Sequence, residues 1–156
     1  MRVQICAVGR LRSGPERALI DDYVQRFDRV GRGLSLGPIA ETEIDGRKAA
    51  TSDAEGTMLL KSVADGATLC ALDERGRQMS SPDLAAYLER IRDAGAQDLA
   101  FVLGGADGLS DEVRAAADRT MSLGHMVWPH ALARVMLAEQ LYRAASILAG
   151  SPYHRA

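Results

Sequence analysis

Short apolar runs alternate with stretches of helical periodicity from one end of the chain to the other, and that alternation leaves few folds open. Val3–Val8, Ala67–Leu72, Leu99–Leu103 and Thr120–Leu123 read as strands, too brief for helices and apolar enough to be buried on both faces. Between them lie helices. Pro15–Val30 places Leu19, Ile20, Tyr23, Val24, Phe27 and Val30 on one face. A weaker helix spans about Asp53–Ala64, with Gly56 in its first turn. Ser81-Pro82 opens a third helix, with Leu84, Leu88 and Ile91 as its buried stripe and Gly95 as its stop. Ser110 caps a fourth, followed by Asp111 and Glu112 near its positive end, and Ala131–Ala149 is the longest. An extended run covers Leu34–Ile44, the polar stretch Asp45–Thr51 reads as a mobile loop, and Asp73-Glu74-Arg75-Gly76 reads as a turn closing the strand before it. The expected fold is therefore α/β: one domain over residues 1–156, with a mainly parallel sheet and helices on both faces.

Composition narrows the function classes. A chain of 156 residues buries enough surface to fold without disulfide or metal. Its two cysteines, Cys6 and Cys70, sit in apolar runs, as buried structural thiols do. The first apolar run stops before Arg10 and is too short for a signal peptide, and no later segment has the length of a membrane span. A cytoplasmic protein, with no membrane and no metal among its partners, is the expectation. The net charge of −2 does not itself point to nucleic acid, but its distribution is uneven. Residues 1–50 carry nine bases against seven acids and residues 129–156 three against one, while 51–128 carry seven against thirteen. Positive charge at the two ends of the chain has the chance to meet in three dimensions; an ordinary solvated surface would give the same count.

In an open α/β sheet, ligands sit at the carboxyl ends of the strands. Three such ends stand out: Leu72-Asp73, Gly104-Gly105 and Gly124–Pro129. Gly104-Gly105-Ala106-Asp107-Gly108 lies between a strand and a helix, where glycines let a backbone approach a ligand. It is not the dinucleotide fingerprint, and a purely structural turn would look the same. Neither a phosphate-binding P-loop nor a nucleophile elbow is present. On the last helix Glu139, Gln140, Arg143 and Ser146 share a polar arc, while Arg134 projects from the apolar side, either snorkelling to solvent or serving a site near the helix start. That helix is apolar on more than one face, so its second face is expected to meet another subunit. The tail Ser151-Pro152-Tyr153-His154-Arg155-Ala156 gathers a ring that can stack on a base, an imidazole and a guanidinium; a frayed end is the plainer reading.

Taken together, Ala7-Val8-Gly9, Leu72-Asp73, the Gly104–Gly108 loop, Glu139-Gln140-Leu141-Tyr142-Arg143-Ala144 and Pro152-Tyr153-His154-Arg155 resemble the RlmH family of the SPOUT superfamily over essentially the whole chain. That family methylates N3 of a pseudouridine in large-subunit ribosomal RNA. The resemblance implies a C-terminal deep trefoil knot, which no general rule of topology would suggest. It also implies S-adenosyl-L-methionine bound through the positions of Leu72, Gly105, Gly124, His125, Met126, Val127, Trp128 and Pro129, and a homodimer whose interface carries the active site. The chain departs from the family pattern at Gly124, Val127 and Trp128, so only backbone contacts are carried over there.

The same resemblance assigns the chemistry to the tail. His154 is the candidate base for the imide N–H, while Arg155 and Arg134 are candidates to stabilise negative charge or hold phosphate; Tyr153 completes the set. The expected partners are a second copy of the chain and the assembled ribosome. A related methyltransferase acting on transfer RNA, and a non-catalytic ribosome-binding module of the same fold, are the alternatives.

Overall fold

The computed structural model describes residues 1–49 and 51–154, and for His154 the backbone alone. Five strands form one parallel sheet: β1 (Arg2–Val8), β2 (Ile39–Ile44), β3 (Thr68–Gln78), β4 (Asp98–Leu103) and β5 (Arg119–Ser122), in the order β2-β1-β4-β3-β5. Val3 in β1 lies opposite Ile39 on one side and Leu99 on the other. All six residues of β4 are buried, as befits a strand covered on both faces.

Side-chain alternation along the strands divides the core into two layers. Val3, Ile5 and Phe101 pack with Phe27, Leu88, Leu137 and Leu141 from helices α1 (Pro15–Gly31), α3 (Ser81–Asp93) and α5 (His130–Leu148). Cys6, Val8, Ala100 and Val102 face α2 (Ser52–Ser62) and α4 (Asp111–Ala116) through Leu59 and Val113, with Leu109 from the loop before α4. Both thiols are buried, and burial pushes Cys70 up to about 12 and raises Cys6, so each is an inert core residue.

Several local expectations are corrected. The residues Asp73–Gly76 do not end β3. They bulge out of the sheet, and the strand rejoins β5, so that Leu72 and Arg77 both face Met121. Gly76 permits this, because a Cβ there would come within 2.5 Å of the Met121 backbone. The cap of α3 is Ser80, one residue earlier than the sequence suggested. Its hydroxyl accepts from the Asp83 amide while the Asp83 carboxylate accepts from the Ser80 amide, a reciprocal capping box. Only Ile39–Ile44 of the Leu34–Ile44 run is strand; Arg32–Leu34 is a 3-10 turn and Ser35 takes the left-handed conformation. The polar stretch after β2 contains a 3-10 turn, Gly46–Lys48, whose first amide partner is the Asp45 carboxylate. Finally, α5 packs against both α1 and α3 within the chain, while Leu132 near its start stays 40% exposed.

Candidate active site

The bulge of β3, the carboxyl ends of β4 and β5 and the first turn of α5 enclose a cavity of about 300 Å³, at the lower end of the range for small-molecule sites. Its apolar walls are Leu72, Leu103, Met121, Leu123 and Ala133. One rim is the loop Gly104–Gly108, which closes tightly on itself. The Gly108 amide donates to the Gly105 carbonyl at 3.1 Å, and a Cβ on Gly104 would come within 2.4 Å of the Gly108 carbonyl oxygen. The opposite rim begins at Gly124, whose amide donates to Ser122 Oγ while that hydroxyl donates to the Gly124 carbonyl.

Two of the charges around this cavity, Asp73 and Arg114, engage each other. Arg114 reaches Asp73 Oδ2 at 3.1 Å and also holds Asp111 and the Leu109 carbonyl; Asp73 Oδ1 accepts from the Arg75 amide. Glu55 arrives from α2, behind the glycine loop. Burial raises its pKa, the negative charge of Asp107 adds to the shift, and His130 opposes it. A Cβ on Gly105 would stand 3.2 Å from both Glu55 Oε2 and Val8 Cγ1. Gly105 is therefore confined by neighbours, and its φ lies outside the left-handed region.

Of the residues expected to bind a cofactor, Leu72, Gly105, Gly124, Met126, Val127 and Trp128 converge on this cavity from three separate stretches of sequence. His125 and Pro129 do not line it. Sequence reasoning passed over His130 at the α5 start, Leu103 at the end of β4, and Arg75 and Arg114. Strand-end position would have found Leu103; the others are brought in by packing.

The expected catalytic residues divide differently. Arg134 does not reach the cavity. It is 1% exposed, and its guanidinium donates to Glu41 Oε1 (2.9 Å), Glu43 Oε1 (2.7 Å) and the carbonyls of Val8 (3.3 Å) and Gly9 (2.9 Å). It neither snorkels to solvent nor faces a substrate in this chain; it ties the end of β1 to the first turns of α5. Tyr153 lies along α5, donating to Glu139 Oε1 at 3.2 Å, with Tyr142 and Arg143 against its ring. Burial, then Tyr23 and Glu139, push its hydroxyl up to about 12, so it stays protonated at neutral pH. Glu139 is nine residues beyond His130 on α5, about 14 Å at 1.5 Å per residue, which sets Tyr153 away from the cavity of its own chain. Arg155, and the side chain of His154, lie outside the described residues.

Comparison with known proteins matches the sequence to a family. A model described as "Predicted SPOUT methyltransferase" covers residues 1–154. The chain is 63% identical to the ribosomal RNA large subunit methyltransferase H of Dinoroseobacter shibae and 62% identical to that of Ruegeria pomeroyi, in each case over 99% of both chains. Among solved structures, a probable methyltransferase from Bordetella pertussis Tohama I superposes with a TM-score of 0.55 at 17% identity, covering 92% of this chain and 96% of that one; this likeness concerns the fold alone. By its sequence over nearly its whole length, the chain belongs to the SPOUT methyltransferase family.

Proposed function

We propose that this protein transfers a methyl group from S-adenosyl-L-methionine to N3 of a pseudouridine in large-subunit ribosomal RNA, acting in the cytoplasm as a homodimer on the assembled ribosome. The observation that carries the reading is the convergence of Leu72, Gly105, Gly124 and Met126–Trp128 on one cavity at the strand ends. The names of the full-length relatives favour ribosomal over transfer RNA as substrate.

The cavity suits the donor. Leu72, Leu103, Met121 and Leu123 offer an apolar slot for a purine, and the turning backbone at Gly104–Gly108 and Gly124 offers amides and carbonyls for polar edges. When bound, the donor supplies a methyl group already activated by its sulfonium. The protein is left to align the acceptor nitrogen, exclude water and accept one proton from the imide. The apolar walls serve the second task. His154 is proposed for the third, with Arg155 beside it to stabilise the imide anion.

Two observations support a site shared between subunits. Tyr153 packs well along α5, away from the cavity in the same chain, which favours a tail that serves a partner's cavity. Met126, Val127, Trp128 and Leu132, at the cavity mouth and the start of α5, are 72, 81, 39 and 40% exposed, an apolar patch of the kind a partner covers.

The test is methyl transfer from labelled donor to ribosomes from a strain lacking the modification, with the product nucleoside identified by mass spectrometry. Methylated pseudouridine in large-subunit RNA is expected, and label only in transfer RNA, or none, contradicts the reading. Deleting Tyr153–Ala156 should abolish most transfer while leaving fold and dimer intact. Mixing that truncation with a full-length Gly105→Val chain should restore one working site per mixed dimer; confirmed mixed dimers without activity would place tail and cofactor in one chain.

A further inference from the structure

Beyond the first cavity, on the α3 side of the edge strand β5, lies a second of about 280 Å³. Three arginines line it: Arg77 from the end of β3, Arg90 from α3 and Arg119 from the start of β5. None of the three forms a salt bridge among the described residues, a state they share with Arg10, Arg12, Arg29, Arg32 and Arg75; what sets them apart is that they line one cavity together. Tyr87 holds two of them in place: its ring centre lies 5.5 Å from the guanidinium carbon of Arg90 and 4.6 Å from that of Arg119.

Tyr87 is itself only 4% exposed, and its hydroxyl has no hydrogen-bond partner among the described residues. Its ring is thereby fixed as a platform for the two guanidinium groups, which leaves a place for an anion among the three arginines. The nearby carboxylates do not fill that place. Asp83 lines the cavity but is engaged by the amide and hydroxyl of Ser80, and Asp118 accepts from the Leu69 amide. The cavity neighbours the first one in the sheet, since Gln78 in its wall pairs with Ser122 in the wall of the other. A chain of phosphates lying across β5 would thus reach the methyl-donor site.

We infer that Arg77, Arg90 and Arg119, arrayed around Tyr87, form a seat for the phosphodiester backbone of ribosomal RNA flanking the methylated nucleotide. The inference rests on the proposed ribosomal substrate and deepens it. Arginine forks suit phosphate, and contacts of this kind position a nucleic acid without reading its sequence.

The experiment measures transfer to intact ribosomes as a function of salt for the full-length protein, for Arg77→Ala, and for the triple alanine variant. Arg77 does not stack on Tyr87, so its removal tests the idea even if the triple variant folds poorly. The expected result is a KM for ribosomes raised about tenfold or more in the triple variant. The salt slope should fall by about one for each arginine lost, while calorimetric binding of the methyl donor is unchanged. Unchanged KM and slope in the folded variants would overturn the inference. A photoreactive residue in place of Arg90 should crosslink to ribosomal RNA; crosslinks to ribosomal protein alone would assign the surface to a protein instead. Micromolar pyrophosphate abolishing the effect would assign it to a free anion. If the unaltered protein neither binds nor methylates ribosomes, the functional reading fails first and this inference falls with it.

Discussion

Two arginine clusters in this molecule have opposite fates. Around Arg134, the guanidinium meets Glu41, Glu43 and two carbonyls, and Arg17 joins from α1 with Glu41 Oε2 at 2.7 Å and Asp21 at 2.7 Å. Every charge there has its counter-charge, and the cluster welds α5 and α1 to the ends of β1 and β2. Around Tyr87, Arg77, Arg90 and Arg119 have no acidic partner among the described residues, and the cavity they line is open to a ligand. The same residue type builds the fold in one place and awaits a partner in the other. What separates them is pairing and burial, which neither the number of arginines nor their position in the chain reports.

That contrast can be broken most directly at Arg134. Replacing it by Met leaves Glu43 with only a distant Arg17 at 3.9 Å, while Glu41 keeps Arg17 at 2.7 Å, and loss of one partner from a buried pair typically costs about 3–5 kcal/mol. Urea unfolding of Arg134→Met should show a loss of that order, with weaker methyl-donor binding following from a loosened β1 end; a loss below about 1 kcal/mol would mean the cluster is dispensable. By the same measurement Arg90→Ala should cost no more than about 0.5–1 kcal/mol, the scale of one exposed cation–π contact. A loss as large as that at Arg134 would make the second cluster structural too.

The smallest effect concerns an exposed pair. Asp45, held by the Arg47 side chain, has its pKa lowered to about 2. A depressed carboxylate contributes stability that is fully present above its unfolded value and is lost as the pH falls through the folded one. In Arg47→Ala, carbon-detected NMR titration should find Asp45 back toward the ordinary value of ~3.9. Stability above pH 5 should be scarcely altered, because such surface pairs contribute little. A value still near 2 would assign the shift to the backbone turn and not to Arg47.

Much of this was legible in the chain, for reasons particular residues make plain. Val3–Val8 and Leu99–Leu103 announce themselves because a parallel strand buried on both faces is apolar throughout. Asp73–Gly76 misled because polar residues ending in glycine describe a bulge as well as a turn; only the return of Arg77 to Met121 separates the two. The partners of α5 were invisible because an apolar face does not say whether α1, α3 or a second copy covers it. In the site, the glycine loop and strand ends could be found locally, whereas Glu55 approaches Gly105 from a helix some fifty residues away in sequence. Charge misled most. At the basic ends of the chain Arg2, Arg17, Arg134 and Arg143 each have an acidic partner, while the arginines that line the second cavity come from the acidic middle.

The central claim is that the cavity bounded by Gly104–Gly108 and Gly124–Trp128 holds the methyl donor. Isothermal titration calorimetry of S-adenosyl-L-methionine against the unaltered protein and against Gly105→Val tests it most directly. A valine at position 105 would press on Glu55 and Val8, each 3.2 Å from its Cβ, and so displace the loop that forms the cavity rim. The account predicts saturable binding to the unaltered protein and none to the variant, whose circular dichroism should remain that of a folded α/β protein. No binding to the unaltered protein, or normal binding to a folded Gly105→Val, would contradict it.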